Sequence, residues 1–307
     1  MAGHAGRVIG RHTAAVEPVI AISKESTMKQ FKIGVMSDGF RLPPLDGIRK
    51  AAQIGAEGVQ IYTVRGPMGP DEMTAAKRAE LRRLVADLGI VISALCGDMG
   101  GGFHDAAQNP DKIALSRRIV DLAADLGVPV VTTHIGVTPE DRPCATYQTM
   151  LAACRELADY AAGKRVTFAV ETGPEKAVVL KQFLDDIHSP GLGVNLDPAN
   201  LVMVSADDPV QAVHTLKNYI VHTHAKDGIQ LAPGSAVAVY HGAAATSEPP
   251  AEFKEVPLGE GKVDWPRYLA ALAGIGYKGF LTIEREVGPD PAADIAKAIQ
   301  FLRTQMG

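Results

Sequence analysis

Four short apolar runs in the second half of this sequence each end in a side chain able to bind a metal. They are RVTFAVET with Glu171, LGVNLDPAN with Asp197, YIVHTHAKD with His224 and FLTIERE with Glu284. Successive members lie 26, 27 and 60 residues apart. A strand–helix unit of an eight-fold β/α barrel takes about 31 residues if roughly 250 are shared over eight units, so the first two gaps fit one unit each. The third fits one unit plus a long loop. Side chains at the carboxyl ends of barrel strands point into one mouth, where residues far apart in sequence converge on a single ion. Three carboxylates and one imidazole form an oxygen-rich set suited to one divalent metal ion, Mn²⁺ first and otherwise Mg²⁺, Co²⁺ or Zn²⁺. Such an ion polarises a sugar carbonyl and acidifies the neighbouring C–H. Glu171 and Glu284 are then the candidate catalytic pair, one removing the proton and the other returning it through an enediolate. Return to the opposite face gives epimerisation, and return to the next carbon gives isomerisation. Loss of a β-hydroxyl or glycosidic oxygen starts from the same enolate. A metal-dependent lyase, dehydratase or eliminase on keto-sugars or keto-glycosides is therefore the alternative to a sugar isomerase or epimerase.

Each ligand also has an ordinary reading. A strand-end Glu often serves a salt bridge, and Asp197 before Pro198 can cap a turn or helix. His222 and His224 lie two apart on one strand and share a face, so one of them can be a core histidine. Matching places in four runs make coincidence the poorer account. Among other polar residues near strand ends, His134, Asn200 and Lys226 are candidate substrate contacts, with Asp98 and His104 beside them. Lys226 offers a point charge that can steady an enediolate or pair with an acid.

Positioning these residues takes eight strands alternating with eight helices. FKIGVM, GVQIYTV, IVISALCG and VPVVTTHIG are the first four strands, and RVTFAVE, LGVNLD, YIVHTHAKD and FLTIER the last four. In LDGIRKAAQIGAEG, Ile48, Ala51, Ala52 and Ile54 fall at helical spacing and Gly55 is a stop. PDEMTAAKRAELRRLVADLG is expected to be helical from Pro70 and Asp71 to Gly89. A helix from about Pro110 to Leu126 stops at Gly127, and TYQTMLAACRELADYAAG, KAVVLKQFLDDI, DPVQAVHTLK, DWPRYLAALAGIG and PAADIAKAIQFLRTQ supply the rest. The alternation predicts an α/β fold of the (β/α)8 TIM-barrel type. A doubly wound dinucleotide fold is disfavoured because no GxGxxG follows the first strand. With no linker between halves, residues 29–307 are expected to be a single barrel domain behind a loosely held N-terminal extension at residues 1–28. From Gly228 to Lys262 the sequence is small, Pro-containing and aperiodic. A loop of that length is usually functional or disordered. Because it follows His224, it is expected to form a lid, or a contact between copies in a homo-oligomer.

Bulk properties narrow the partners. The 31 basic and 35 acidic residues give a net charge of −4, which opposes a nucleic-acid partner. No apolar run approaches the ~20 residues a membrane span needs. Three widely spaced cysteines, Cys96, Cys144 and Cys154, form no CxxC and are odd in number, as expected in a reducing, cytoplasmic setting. Cys96 lies in an apolar run and reads as buried filler.

The ordered set VTFAVET, VNLDPANL, HTHAKD, LGEGKVDW and YKGFLTIE resembles the xylose-isomerase-like TIM barrels, the group called sugar phosphate isomerases/epimerases, from about Phe31 to the C-terminus. The resemblance implies a divalent ion held by the Glu of strand 5, the Asp of strand 6, the His of strand 7 and the Glu of strand 8. These fall on Glu171, Asp197, His224 and Glu284, with the two glutamates as the proton-transfer pair and a small carbohydrate as substrate. His224 rather than His222 takes the ligand place because the family's His-x-Lys-Asp reads here as His224, Ala225, Lys226, Asp227. Ketose 3-epimerases of the family usually carry a second His three residues after the strand-6 Asp, where this chain has Asn200. They place an Arg shortly after the strand-7 His, where this chain runs Asp227, Gly228, Ile229, Gln230. Their substrate-binding Glu, six residues beyond the strand-5 ligand, corresponds to Ala177. Abasic-site endonucleases share the superfamily but need further His and Glu ligands on earlier strands, where this chain offers Gln60 and Asp38.

Overall fold

Val-, Ile- and Thr-rich runs buried on both faces suit parallel strands covered by helices. The computed structural model describes residue 1, residues 30–240 and residues 252–307, so the expected extension at 1–28 lies, beyond its first residue, outside the described residues. The barrel strands are β1 (Lys32–Met36), β2 (Gly58–Tyr62), β3 (Val91–Cys96), β4 (Val130–Thr133), β5 (Thr167–Glu171), β6 (Leu192–Leu196), β7 (Ile220–Ala225) and β10 (Phe280–Ile283). All pair in parallel and close in the order β1-β10-β7-β6-β5-β4-β3-β2. This is the (β/α)8 architecture the alternation predicts. The surrounding helices are α1 (Pro44–Gln53), α2 (Ala75–Asp87), α3 (Asn109–Leu126), α4 (Ala145–Gly163), α5 (Ala177–Ile187), α6 (Pro209–Leu216), α7 (Trp265–Gly274) and α8 (Pro291–Met306). No helix among the described residues is long and apolar enough to cross a membrane.

The main core lies between strands and helices, with Ile33, Val59, Leu95, Val131, Phe168, Val194 and Leu281 on the sheet side and Ile48, Ile119, Leu157, Leu184, Leu269 and Ile299 on the helix side, all buried. A smaller cluster of Ala94, Val130 and Ala169 fills part of the barrel interior. Helix starts follow local chemistry. Asp208, Asp264 and Asp290 accept from the backbone N–H of Val210, Arg267 and Ala293, with a proline at the first helical position after Asp208 and Asp290 and at the second after Asp264. The second helix starts later than its sequence suggests. Met73 is buried in the core and Thr74 Oγ1 accepts from Lys77 N, so the helix runs from Ala75 and not from Pro70.

The described parts of the long segment after β7 carry structure that its aperiodic sequence does not predict. Its ends pair as an antiparallel hairpin, β8 (Asp227–Gln230) with β9 (Phe253–Val256), and a short helical turn spans Ala236–Tyr240. Asp227 ties down its base. Its Oδ1 accepts from Gly228 N and Val263 N, and its Oδ2 from Gly259 N and the indole Nε1 of Trp265. Gly261 must stay small here, since an added Cβ would meet Asp227 Oδ1 at 1.9 Å. Asp227→Ala leaves four donors, three of them buried, without this acceptor and is expected to cost about 3 kcal/mol. Urea unfolding and the rate of proteolysis within β8 and β9 check it.

Candidate metal centre and active site

Two irregularities in strand register lie beside the polar side chains of the barrel interior. β2 pairs with β3 as Val59↔Ile92 and then Gln60↔Ala94, leaving Ser93 as an extra residue. β6 pairs with β7 as Val194↔Ile220 and then Asn195↔His222, leaving Val221 extra. An extra residue bends a strand and re-aims the side chains beyond it. Gln60, Asn195, His222 and His224 all end up buried inside the barrel.

Above them, Glu171 at the end of β5, Asp197 just after β6, His224 in β7 and Glu284 just after β10 come together, with one ligand atom from each within 4.8 Å of every other. His224 Nδ1 lies 3.2 Å from Glu171 Oε1, 3.2 Å from Glu284 Oε2 and 3.4 Å from Asp197 Oδ2. The side chain opposite the Nδ1 edge is fixed too. Gln60 Nε2 donates to Thr132 Oγ1 at 3.0 Å, which turns Gln60 Oε1 toward His224 Nε2, also at 3.0 Å. With a cation at the cluster, Gln60 Oε1 would keep the imidazole proton on Nε2 and leave the Nδ1 lone pair facing the three carboxylates.

Asp197 divides its two oxygens. Oδ1 accepts from Asn200 N at 2.9 Å, and Oδ2 is buried with no hydrogen-bond partner among the described residues. The capping and ligand readings of Asp197 thus describe different atoms of one side chain. Thr172 Oγ1 holds its backbone, accepting from Asp197 N and donating to Asp197 O. An orphaned buried carboxylate oxygen beside two further carboxylates and an imidazole lone pair fits a divalent cation.

The charges agree with that fit. Burial pushes the Asp197 carboxyl up despite His224 and Lys226. Burial would raise Glu284 as well, but Lys226 and His224 outweigh it and hold that carboxyl well below the usual range. Burial disfavours a charged His224, yet Glu171 and Glu284 draw its pKa well above the ordinary value. The cluster draws positive charge to its centre, and without a cation His224 as an imidazolium supplies it beside Lys226.

Below the ligands runs a second line of support. Thr282 Oγ1 donates to His222 Nε2, His222 Nδ1–H donates to Asn195 Oδ1, and Asn195 Nδ2 donates to Glu171 Oε2 at 3.2 Å. Burial and the neighbouring His224 push the His222 pKa well below normal, which keeps it neutral in this relay. The other Glu171 oxygen accepts from Asn200 Nδ2 at 3.2 Å and lies 3.5 Å from His134 Nε2. His134 Nδ1 bonds Asp98 Oδ2 at 2.9 Å. Burial alone would lower the His134 pKa, but Glu171 and Asp98 raise it to about 10.

The family described as xylose isomerase-like TIM barrel matches residues 48–305. This chain belongs to that family. Among xylose isomerase-like relatives, the L-ribulose-5-phosphate 3-epimerase UlaE of Escherichia coli O157:H7 (strain EC4115 / EHEC) is 25% identical over 244 residues, 75% of this chain and 78% of that protein. The crystal structure of a xylose isomerase domain protein from Planctomyces limnophilus superposes with a TM-score of 0.74 at 26% identity, covering 90% of this chain and 97% of the other. The probable 3-DHS dehydratase AsbF of Bacillus anthracis superposes at 0.70 with 19% identity, covering 89% and 99%, a likeness that concerns the fold alone.

Within this xylose isomerase-like barrel the expected residues have distinct surroundings. Glu171, Asp197, His224 and Glu284 meet at one point, and His134 and Asn200 stand against Glu171. Lys226 is spoken for by acids: its Nζ lies 3.0 Å from Glu284 Oε2, 2.5 Å from Glu286 Oε2 and 3.8 Å from Glu255 Oε2. Arg285 completes this network with Glu255 at 2.6 Å and Asp294 at 3.0 Å, binding the β9 strand to the end of β10. His104 stands half-buried in the loop between β3 and α3.

The sequence alone gives no role to Asn195, Glu175, Glu255 and Tyr240, and marks Gln60 only as standing where abasic-site endonucleases need a further His or Glu ligand. Glu175 accepts from Thr138 N at 3.0 Å and Thr138 Oγ1 at 3.3 Å, joining the loops after β4 and β5. Burial pushes its carboxyl from 4.5 up to about 7, with Thr138 and His134 pulling the other way. The folded protein then holds this proton more tightly than the unfolded chain. Stability present below pH 4.5 is therefore lost as pH rises through about 7. Glu175→Gln is expected to remove that loss, gaining about 3 kcal/mol on the native protein between pH 4 and pH 8. Urea unfolding at both pH values in metal-free buffer checks it.

Proposed function

We propose that this chain is a divalent-metal-dependent sugar epimerase or isomerase acting on keto-sugars or their phosphates. Glu171, Asp197, His224 and Glu284 would hold the ion, manganese being the first choice for so oxygen-rich a set. The bound cation supplies Lewis-acid polarisation of a substrate carbonyl. The carrying observation is that Glu171 and Glu284, from strands separated in the barrel by β6 and β7, each reach within 3.2 Å of the same His224 nitrogen. Two carboxylates facing one point from different sides suit removal of a proton from carbon and delivery of a proton to it. Asn195 and Asn200 orient Glu171, and Lys226 orients Glu284. His134, held by Asp98, and Asn200 are the chain's substrate contacts on the Glu171 side. The epimerase activity named for the relative of Escherichia coli supports the same class of reaction.

Metal analysis of the purified protein, followed by a solvent-deuterium uptake screen over ketopentoses, ketohexoses, their phosphates and inososes, tests the reading. The expected result is one equivalent of metal and deuterium on a carbon next to the carbonyl. A product lighter by water or by an aglycone replaces epimerisation with elimination. No uptake into any substrate by the manganese-loaded protein overturns the proposal.

A further inference from the structure

The inserted segment between β8 and β9 brings a side chain to the mouth that the proposed chemistry has not used. Tyr240 is the last residue of the short turn Ala236–Tyr240. Its ring lies 4.9 Å, centroid to centroid, from the imidazole of His134, tilted by 44°. Its hydroxyl stands over the backbone of Gly173, just beyond Glu171. A Cβ built on Gly173 would come 3.0 Å from that hydroxyl and 2.3 Å from Asn200 Cβ. Gly173 also has φ +136°, a conformation that L side chains rarely adopt, so the floor beneath Tyr240 and Asn200 is kept bare. The phenol thus joins His134 and Asn200, the two side chains that flank Glu171 Oε1.

This arrangement differs from casual packing in two ways. The hairpin carrying Tyr240 is fixed at its base by Asp227 and by the Arg285–Glu255 pair, so the turn is delivered from a defined anchor. The hydroxyl is also set in the field of Glu171, Asp197, Glu175 and Lys226, and burial together with Glu171 pushes its pKa well above that of a free phenol. It remains a neutral donor throughout the working pH range. A neutral O–H beside an aromatic face matches a sugar, which offers hydroxyl acceptors along one edge and a C–H face to stack.

We propose that Tyr240 is a substrate-positioning residue, walling the Glu171 side of the mouth and donating its phenolic hydrogen bond to a sugar oxygen. The inference rests on the proposed reading of the site as a ketose enzyme, and it adds a residue supplied by the insertion. The phenol holds the sugar against His134 and Asn200 and shields Glu171 from bulk water. It takes no proton itself.

The test uses full-length manganese-loaded protein with L-ribulose, L-ribulose 5-phosphate and D-allulose as probes. Dissociation constants come from calorimetry, and KM and kcat from deuterium uptake. Tyr240→Phe is expected to weaken binding and raise KM about tenfold, the loss of one hydrogen bond, with kcat within about threefold. Tyr240→Ala is expected to lose a further tenfold or so in KM as the stacking face goes. Manganese content stays at one equivalent in both. Unchanged Kd and KM in Tyr240→Phe and Tyr240→Ala, or loss of manganese from Tyr240→Phe, overturns the assignment. If the native protein binds a probe without deuterium uptake, the proposed reaction falls while the ratio of dissociation constants still decides Tyr240. Failure of all three probes to bind overturns both.

Discussion

Replacing Glu171 by glutamine is expected to cut deuterium uptake into a ketose by about 10³-fold, within the range of about 10²–10⁴ that a positioned acid–base group contributes. The amide has the carboxylate's shape but cannot accept a proton from carbon at neutral pH. Its surroundings make the substitution more than a simple subtraction. Asn195 Nδ2 and Asn200 Nδ2 each lie 3.2 Å from a Glu171 oxygen, and both are donors. One of them must face the new NH₂, so a stability loss of about 1–2 kcal/mol is expected alongside. Glu284→Gln is expected to lose activity to the same degree with less structural disturbance. Its partner Lys226 keeps Glu286 at 2.5 Å and Glu255 at 3.8 Å. Metal content measured on the same samples separates the roles. A variant that keeps its ion but takes up no deuterium has lost proton transfer, whereas uptake at the native rate in either variant removes that glutamate from the chemistry.

Asp197→Asn is expected to separate metal binding from folding. The carboxylate is 0% exposed, its Oδ1 accepts from Asn200 N, and only Oδ2 faces the cluster without a hydrogen-bond partner among the described residues. Asparagine can keep the Oδ1 bond while turning an NH₂ toward the cluster, where it offers no lone pair. Manganese content is expected to fall from one equivalent to near zero. The thermal stabilisation gained from excess manganese should vanish with it, about 4 kcal/mol for the native protein at a thousandfold excess over its dissociation constant. Without metal the variant is expected to be as stable as the native protein or more so, because one buried charge has gone. Melting curves with and without manganese, beside elemental analysis, give both readings. A variant that retains manganese at native affinity removes Asp197 from the ligand set.

These two predictions use residues that the sequence already set apart, and the reason is geometric. Parallel strands buried on both faces are near-continuous apolar runs, so a polar residue closing such a run stands out, as Glu171, Asp197 and Glu284 do. Their gaps match the strand–helix repeat, which is why the barrel could be read with them. The supports were not legible in the same way. Gln60 and Asn195 lie inside apolar runs, beside register shifts made by the single extra residues Ser93 and Val221 of the neighbouring strands, which leave no trace in composition or period. His222 and His224 were ambiguous from their shared face; Asn195 lies against both, and Thr282 beside His222 and Gln60 beside His224 tell them apart. In sequence Lys226 stays open between steadying an enediolate and pairing with an acid, because Glu255, on β9, belongs to a stretch with no period. Tyr240 was hidden for the same cause. The start of α2 went astray because Pro70 and Asp71 look like a helix beginning, whereas the buried Met73 draws the chain inward first.

The interior line from Thr282 through His222 and Asn195 to Glu171, and its companion from Thr132 through Gln60 to His224, limit how this enzyme can diverge. Every hydrogen bond in them has one donor and one acceptor already matched, so a single replacement at Thr132 or Thr282 strands its neighbour and is felt two storeys up. Heritable changes in substrate preference have little room there. They are channelled to the rim, where a hairpin clamped at its base by Asp227 can exchange one residue at a time without disturbing the foundations.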